Sequence, residues 1–204
     1  LAERLPNFLF ADEMNCFCKS PDSENNLWQA RDKAIFSCLY SSGCRVSELV
    51  NLNVKDLSSD FKSAIVFGKG SKERKVFFAD FAVQVLKTYM LERKTLLNTL
   101  QNIKEPALFL NQKAKRLTSR GVEYIISRYV EATGSYKKIT PHTFRHSFAS
   151  MLVTKGLDIR MVQELLGHAS ISTTQKYTHV TSEQLQNLYH SSHPHGAIVH
   201  EEIK

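Results

Sequence analysis

The chain has 204 residues, 42% of them hydrophobic and 23% charged, enough for one cored domain with a short appendage and too apolar for wholesale disorder. Its 27 Lys and Arg against 20 Asp and Glu leave a net charge of +7, which favours a polyanionic partner, either nucleic acid or an anionic membrane surface. No apolar run reaches the ~18–20 residues of a membrane span, which excludes a helical transmembrane protein on this stretch.

At the N-terminus, Glu3, Arg4 and Pro6 interrupt any signal-peptide core, and the lack of an initiator Met suggests a fragment or a processed product. Cys16 and Cys18 are too close for an easy disulfide. No second close Cys or His pair joins them or Cys38 and Cys44 in a zinc pattern, so reduced thiols are expected and no metal site. Residues 27–41 space Trp28, Ile35, Phe36, Leu39 and Tyr40 as a helix that Gly43 can stop, and a short helix follows from Arg45 with Val46, Leu49 and Val50. The period then changes. Ala64–Phe67 and Lys75–Phe78 are short β-prone runs around Gly68-Lys69-Gly70-Ser71-Lys72, which predicts a hairpin with a glycine- and lysine-rich tip.

Helical spacing returns over residues 80–100 through Val83, Leu86, Met90 and Leu97; Glu105-Pro106 breaks it, and Ala107–Leu110 suggests a short strand. Arg120–Thr133 reads as helix. Thr140 can cap the next one, with Pro141 in its first turn, Phe144, Phe148, Met151 and Leu152 on its apolar face, and Gly156 at its end. Asp158 caps a further helix through Ile159, Val162, Leu165 and Leu166, closed by Gly167. Ser172-x-x-Gln175 resembles a capping box that opens a helix carrying Tyr177. A last amphipathic stretch, Ser182–Tyr189, precedes a tail with His190, His193, His195 and His200, read as solvated. The expected class is α+β, mainly α, with a small antiparallel sheet.

Candidate chemistry is scattered along this frame. His142 and Arg145, three apart on one helix, would share a face and offer a cationic, hydrogen-bonding surface to a phosphate, although such pairs are more often a solvated helix face. Tyr177 is protonated at neutral pH unless a neighbour takes its proton or cations stabilise the phenolate, and a tyrosine is more often a packing residue than a nucleophile. Arg45 just after a turn could equally pair with a nearby acid. Lys69 at a hairpin tip could be merely solvated, but flanking glycines allow close approach to a ligand.

Four segments in order, SGCRVSELVNL, GKGSKERKV, HTFRHSFA and LLGHASISTTQKYTHV, resemble the signature boxes of the tyrosine recombinase (phage integrase) family. They are most similar to its Xer branch, which resolves chromosome dimers. The resemblance implies the helical DNA breaking–rejoining fold, with residues 1–10 as the end of an interdomain linker, 11–180 as catalytic domain and 181–204 as C-terminal helix and tail. An N-terminal DNA-clamp domain would lie outside this chain. By position, Arg45 and Arg145 correspond to the two catalytic arginines, Lys69 to the hairpin lysine, His142 and His168 to the two histidines, and Tyr177 to the nucleophile. Glu48 corresponds to an acidic position that supports them.

What the resemblance implies is strand exchange through a 3′-phosphotyrosine link, with arginines supplying the charge stabilisation, so that no metal or other cofactor is needed. The implied partners are double-stranded DNA at a specific site, further copies or a paralogue in a tetramer, and a septal DNA translocase, in the cytoplasm on the nucleoid. Ser182–Tyr189 would be the helix that reaches a neighbouring subunit. An integrase of a phage or mobile element shares these residues. A non-catalytic DNA-binding scaffold and a type IB topoisomerase are the other readings weighed.

Overall fold

A computed structural model describes residues 9–23, 28–68, 72–134 and 137–167, together with 186, 187, 189 and 191. Three of the expected site residues, Lys69, His168 and Tyr177, lie outside the described residues, as do the Ser172–Gln175 capping box and the terminal histidines.

The described chain runs α1 (Ala11–Lys19), α2 (Gln29–Ser42), α3 (Val46–Asn51), β1 (Ser63–Phe67), β2 (Glu73–Phe77), α4 (Asp80–Thr99), α5 (Ser119–Ala132), α6 (Pro141–Thr154) and α7 (Ile159–Leu165). The mainly helical class with one two-stranded antiparallel sheet is the expected one. At the centre is α2, whose Ile35, Phe36, Cys38 and Leu39 are wholly buried. Apolar on nearly every side, it can be covered all round, and α1, α4 and α6 pack against it. Phe36 also meets Phe17, Phe144 and Tyr129 at ring-centroid distances of 5.1, 5.8 and 5.3 Å, tying α1, α6 and α5 to it.

Local signals end the helices where the sequence places them. Gly43 closes α2 at φ 58°, and a Cβ there would stand 2.3 Å from the Phe148 ring, so both backbone and packing require glycine. The Thr140 side chain accepts from Thr143 N, with Pro141 in the first turn, and Asp158 accepts from Arg160 N. The hairpin register, Ser63 opposite Phe77 through Phe67 opposite Glu73, puts Arg74 opposite the buried Val66.

Two features depart from the sequence reading. Helix α1, which the reading left unassigned, buries Met14, Phe17 and Cys18. Because two residues on a helix are about 200° apart, Cys18 points inward and Cys16 outward, so the pair does not face one ligand. Second, Ala107–Leu110 is not a strand: its backbone makes isolated bridges, Asn53 with Ala107 and Leu110 with Arg116. The carbonyls of Glu105, Ala107 and Leu108 are instead satisfied by the buried Arg93 guanidinium. The Tyr89 hydroxyl donates to Leu108 O and accepts from Leu110 N. Side chains do there what a neighbouring strand would otherwise do.

Candidate active site

Arg45 sits at the N-terminal boundary of α3, following the left-handed turn at Gly43. Its backbone N–H donates to Glu48 Oε2 at 2.7 Å, and its guanidinium meets Glu48 Oε1 at 3.2 Å. That leaves most of the fork unspent: the Arg45 side chain is 44% exposed, whereas that of Glu48 is 2% exposed. Glu48 is thus a buried carboxylate that holds Arg45 by its backbone N–H and by charge.

Arg145 lies on the third residue after His142 in α6, but turns inward. It donates to Gly43 O and to Leu166 O, both at 2.6 Å, joining the end of α2 to the end of α7. Burial, followed by the positive charges of Arg45 and Arg74, lowers its pKa to about 10, so the three guanidiniums lie within one another's field.

Arg74 is the functional candidate that sequence reasoning missed. From β2 it pairs with Glu48 Oε2 at 2.7 Å and donates to Leu165 O at 2.6 Å. Burial alone would raise the Glu48 carboxyl. The hydrogen bond and charge of Arg74, with the amide and charge of Arg45, outweigh it and hold the group below the ordinary carboxylate value. A signal for Arg74 was available, since strand alternation places it in phase with Val76, on the buried face.

The cluster thus gathers one carboxylate and three guanidiniums from α3, β2 and α6, an excess of positive charge suited to an anion. Two glycines border it. A Cβ on Gly68 would lie 3.5 Å from Glu48 Oε1, and one on Gly167 would lie 2.6 Å from Arg74 Cδ. Lys69 and His168 follow these glycines directly in the sequence.

His142 is not brought into this cluster. Exposed on the first turn of α6, its Nε2 lies 3.0 Å from His146 Nε2, and it makes no hydrogen bond to Arg145 among the described residues. The expected shared face of His142 and Arg145 is thus divided: one side chain is outside on the helix surface, the other inside. Which ring nitrogen donates and which accepts depends on the tautomers. Burial, then His142 and Arg145, lower the pKa of His146 below the ordinary histidine value. Lys138, Thr140 and Thr143 line a shallow pocket with this pair.

Tyr189, the described end of the stretch proposed to reach a neighbouring subunit, does not reach out. It is buried in its own chain, donating to Ser41 O at 2.7 Å and packing against Phe77 and Phe148. The apolar ring gains more by filling that gap than by standing in solvent. No helix among the described residues is long and apolar enough to cross a membrane.

With this geometry in hand, comparison with known proteins is specific. The model of the Phage integrase family matches residues 7–184. A Treponema denticola protein named tyrosine recombinase XerC is 55% identical over 204 residues, covering 96% of this chain and 67% of its own length. The crystal structure of XerA recombinase superposes with a TM-score of 0.72 at 32% identity, over 94% of this chain and 66% of that one. XerH bound to its difH substrate in a pre-cleavage complex gives a TM-score of 0.70 at 32% identity, over 86% of this chain and 51% of XerH. The chain thus spans between about half and two thirds of the length of these relatives.

Proposed function

From the premise that the chain belongs to the phage integrase family, we propose that it is the catalytic domain of a site-specific tyrosine recombinase that cuts and rejoins DNA through a 3′-phosphotyrosine. The observation that carries the reading is the pairing of Arg45 and Arg74 with Glu48, with Arg145 within the field of all three, next to the glycines that precede Lys69 and His168. The net charge of the protein has the same sign.

In this reading the Tyr177 phenolic oxygen attacks the scissile phosphorus. A new P–O bond to tyrosine forms as the bond to the 5′ oxygen breaks. His142, which stands outside the arginine cluster in this structure, is assigned either to take the phenolic proton or to hold the phosphate, and Lys69 protonates the departing 5′ oxygen. Arg45 and Arg145 stabilise the extra negative charge on the non-bridging oxygens, for which a planar fork of donors is better matched than an ammonium, and His168 adds a hydrogen bond. Rejoining reverses the roles with another strand's 5′ hydroxyl, so the bond energy is kept and no nucleotide is consumed.

The same reading extends to the assembly. Named relatives are Xer recombinases, one of them crystallised on its DNA site, which supports a double-stranded recombination site as substrate and chromosome-dimer resolution as the role. A tetramer of this protein or with a paralogue, and a septal translocase that activates it, complete the proposal, as do residues 1–10 as linker and 181–204 as tail around the catalytic domain.

A nicked suicide substrate bearing the protein's own site, incubated with the full-length recombinase and resolved on denaturing gels, tests it. A covalent adduct that disappears in Tyr177→Phe supports the reading. Absence of any adduct, with and without paralogue and translocase, would overturn it.

A further inference from the structure

Arg74 spends one donor of each guanidinium NH2 group inside the protein, and its buried Nε has no hydrogen-bond partner among the described residues. One NH2 contact holds Glu48 Oε2 at 2.7 Å, and NH1 holds Leu165 O at 2.6 Å. Its side chain is only 14% exposed. The partners lie 26 and 91 residues away along the chain, on α3 and at the end of α7. Meanwhile Arg145 takes the next carbonyl, Leu166 O, at 2.6 Å. Two arginines from separate elements therefore bind consecutive carbonyls at the C-terminal end of α7, where helix carbonyls lack intrahelical partners and the dipole favours cations. Gly167 closes the arrangement: at φ 67° it lies flat on the Arg74 stem, leaving no room for a Cβ. The backbone entering His168 is thus laid directly on Arg74.

The charge balance adds a second consequence. Glu48 is the carboxylate shared by Arg45 and Arg74, and each of its oxygens is already assigned. Oε2 accepts from Arg74 and from the Arg45 amide, leaving Oε1 alone, at 3.2 Å, for the Arg45 guanidinium. Without Arg74, a carboxylate buried to 3% exposure would have one cationic partner left, and its free energy would be lowest in a two-oxygen pair with the Arg45 fork. That pairing would occupy the donors that face outward from the cluster.

We propose that Arg74 is a positioning residue of the phosphate site: by holding Glu48 and Leu165 O together, it keeps Glu48 from closing onto Arg45 and fixes the chain before His168 against the hairpin that carries Lys69. The inference rests on the recombinase reading above. In this role Arg74 acts through Glu48, and so Arg45, and through the backbone at Leu165.

The test uses full-length protein on its own suicide substrate, comparing wild type, Arg74→Met and Arg74→Lys by single-turnover cleavage, DNA affinity and thermal unfolding. Misplacement of catalytic groups by an ångström costs about 100-fold, so Arg74→Met should lose about that factor in cleavage rate while its DNA affinity stays within about threefold. Arg74→Lys should recover about tenfold of the loss, because an ammonium can still hold Glu48 although it cannot also reach Leu165 O as a planar fork. In Arg74→Met/Glu48→Gln, cleavage should exceed that of Arg74→Met, since a neutral amide cannot capture Arg45. Should Arg74→Met fail to fold, Arg74→Lys carries the test alone, with slowed cleavage at a wild-type melting temperature. Cleavage by folded Arg74→Met within about threefold of wild type would overturn the proposal, as would cleavage that falls only in step with the folded fraction. Because the comparison is made against an active wild type, failure at Arg74 leaves the recombinase reading standing. A wild type that forms no adduct sinks both.

Discussion

Two buried carboxylates of this protein are each surrounded by arginines, with opposite results. Asp32, wholly buried in α2, accepts from Arg31 Nε at 2.8 Å, from Arg128 NH2 at 3.1 Å and from the Tyr129 hydroxyl at 3.2 Å. Rings lie against both guanidiniums, Trp28 at 4.5 Å from Arg31 and Tyr129 at 4.9 Å from Arg128. Here burial outweighs the charges of Arg31 and Arg128, and the carboxyl is pushed above its ordinary value. Around Glu48 two guanidiniums meet one carboxylate with a third, Arg145, within their field, no ring stacks on them among the described residues, and the carboxyl is held low. The Asp32 cluster is a joint between α2 and α5. The Glu48 cluster carries surplus charge with an outward-facing fork at Arg45. A buried arginine alone therefore does not mark a site; surplus cationic donors with one exposed fork do.

The comparison would break most visibly through Arg145. Arg145→Ala should reduce cleavage by about 100- to 1,000-fold, the usual cost of removing a donor aimed at developing charge. Arg93, which holds only the carbonyls of Glu105, Ala107 and Leu108, is the control. Arg93→Met should lower the melting temperature while cleavage per folded molecule stays at the wild-type rate. An equal loss of cleavage in both would erase the distinction between clamp and site.

Stability should separate the clusters next. Arg31→Met strips a nearly buried charge partner from Asp32 and should cost about 3 kcal/mol, measured by urea unfolding, with cleavage per folded molecule unaltered. Gly43→Ala, by forcing a side chain into a left-handed position against Phe148, should cost about 2 kcal/mol. Because Gly43 O also receives Arg145, the variant should slow cleavage as well.

The smallest effect is a matter of sign. Glu48 is held below its unfolded value, so its contribution is present above that value and is lost as pH falls through the folded one. Asp32 is raised, so folding is favoured most at low pH and loses that help as pH rises through its folded value. Unfolding followed between about pH 5 and pH 3 should therefore flatten in Glu48→Gln and steepen in Asp32→Asn. Parallel curves for the two variants would contradict the opposite placement of these carboxylates.

Much of this was legible from local pattern. Pro141 after Thr140, Phe144 with Phe148, and Gly43 after an apolar helix each report on a few neighbouring residues, and the helices end there as expected. Arg45 and Arg145 were legible because they sit in short boxes whose residue types match a family. Arg74 lies in one of those boxes and in phase with the buried Val76, but its pairing with Glu48 and Leu165 joins distant segments that no local pattern brings together. The inward turn of Arg145 away from His142 was hidden for the same reason: helical spacing puts the two on one face, but the carbonyls of Gly43 and Leu166 draw one inward. Ala107–Leu110 misled because an apolar β-prone run looks alike whether strands or an arginine and a tyrosine satisfy its backbone.

The most direct test of the central claim, that this cluster neutralises a phosphate, is the cleavage of a scissile methylphosphonate by Arg45→Ala. Arg45 is the exposed fork of the cluster, so its loss should leave the fold intact. A methylphosphonate lacks the charged oxygen that the arginine is proposed to meet. The account predicts that Arg45→Ala is about 100-fold or more impaired on the ordinary phosphodiester, yet forms the Tyr177 adduct readily on the neutral analogue. Equal impairment of the folded variant on both substrates would contradict it.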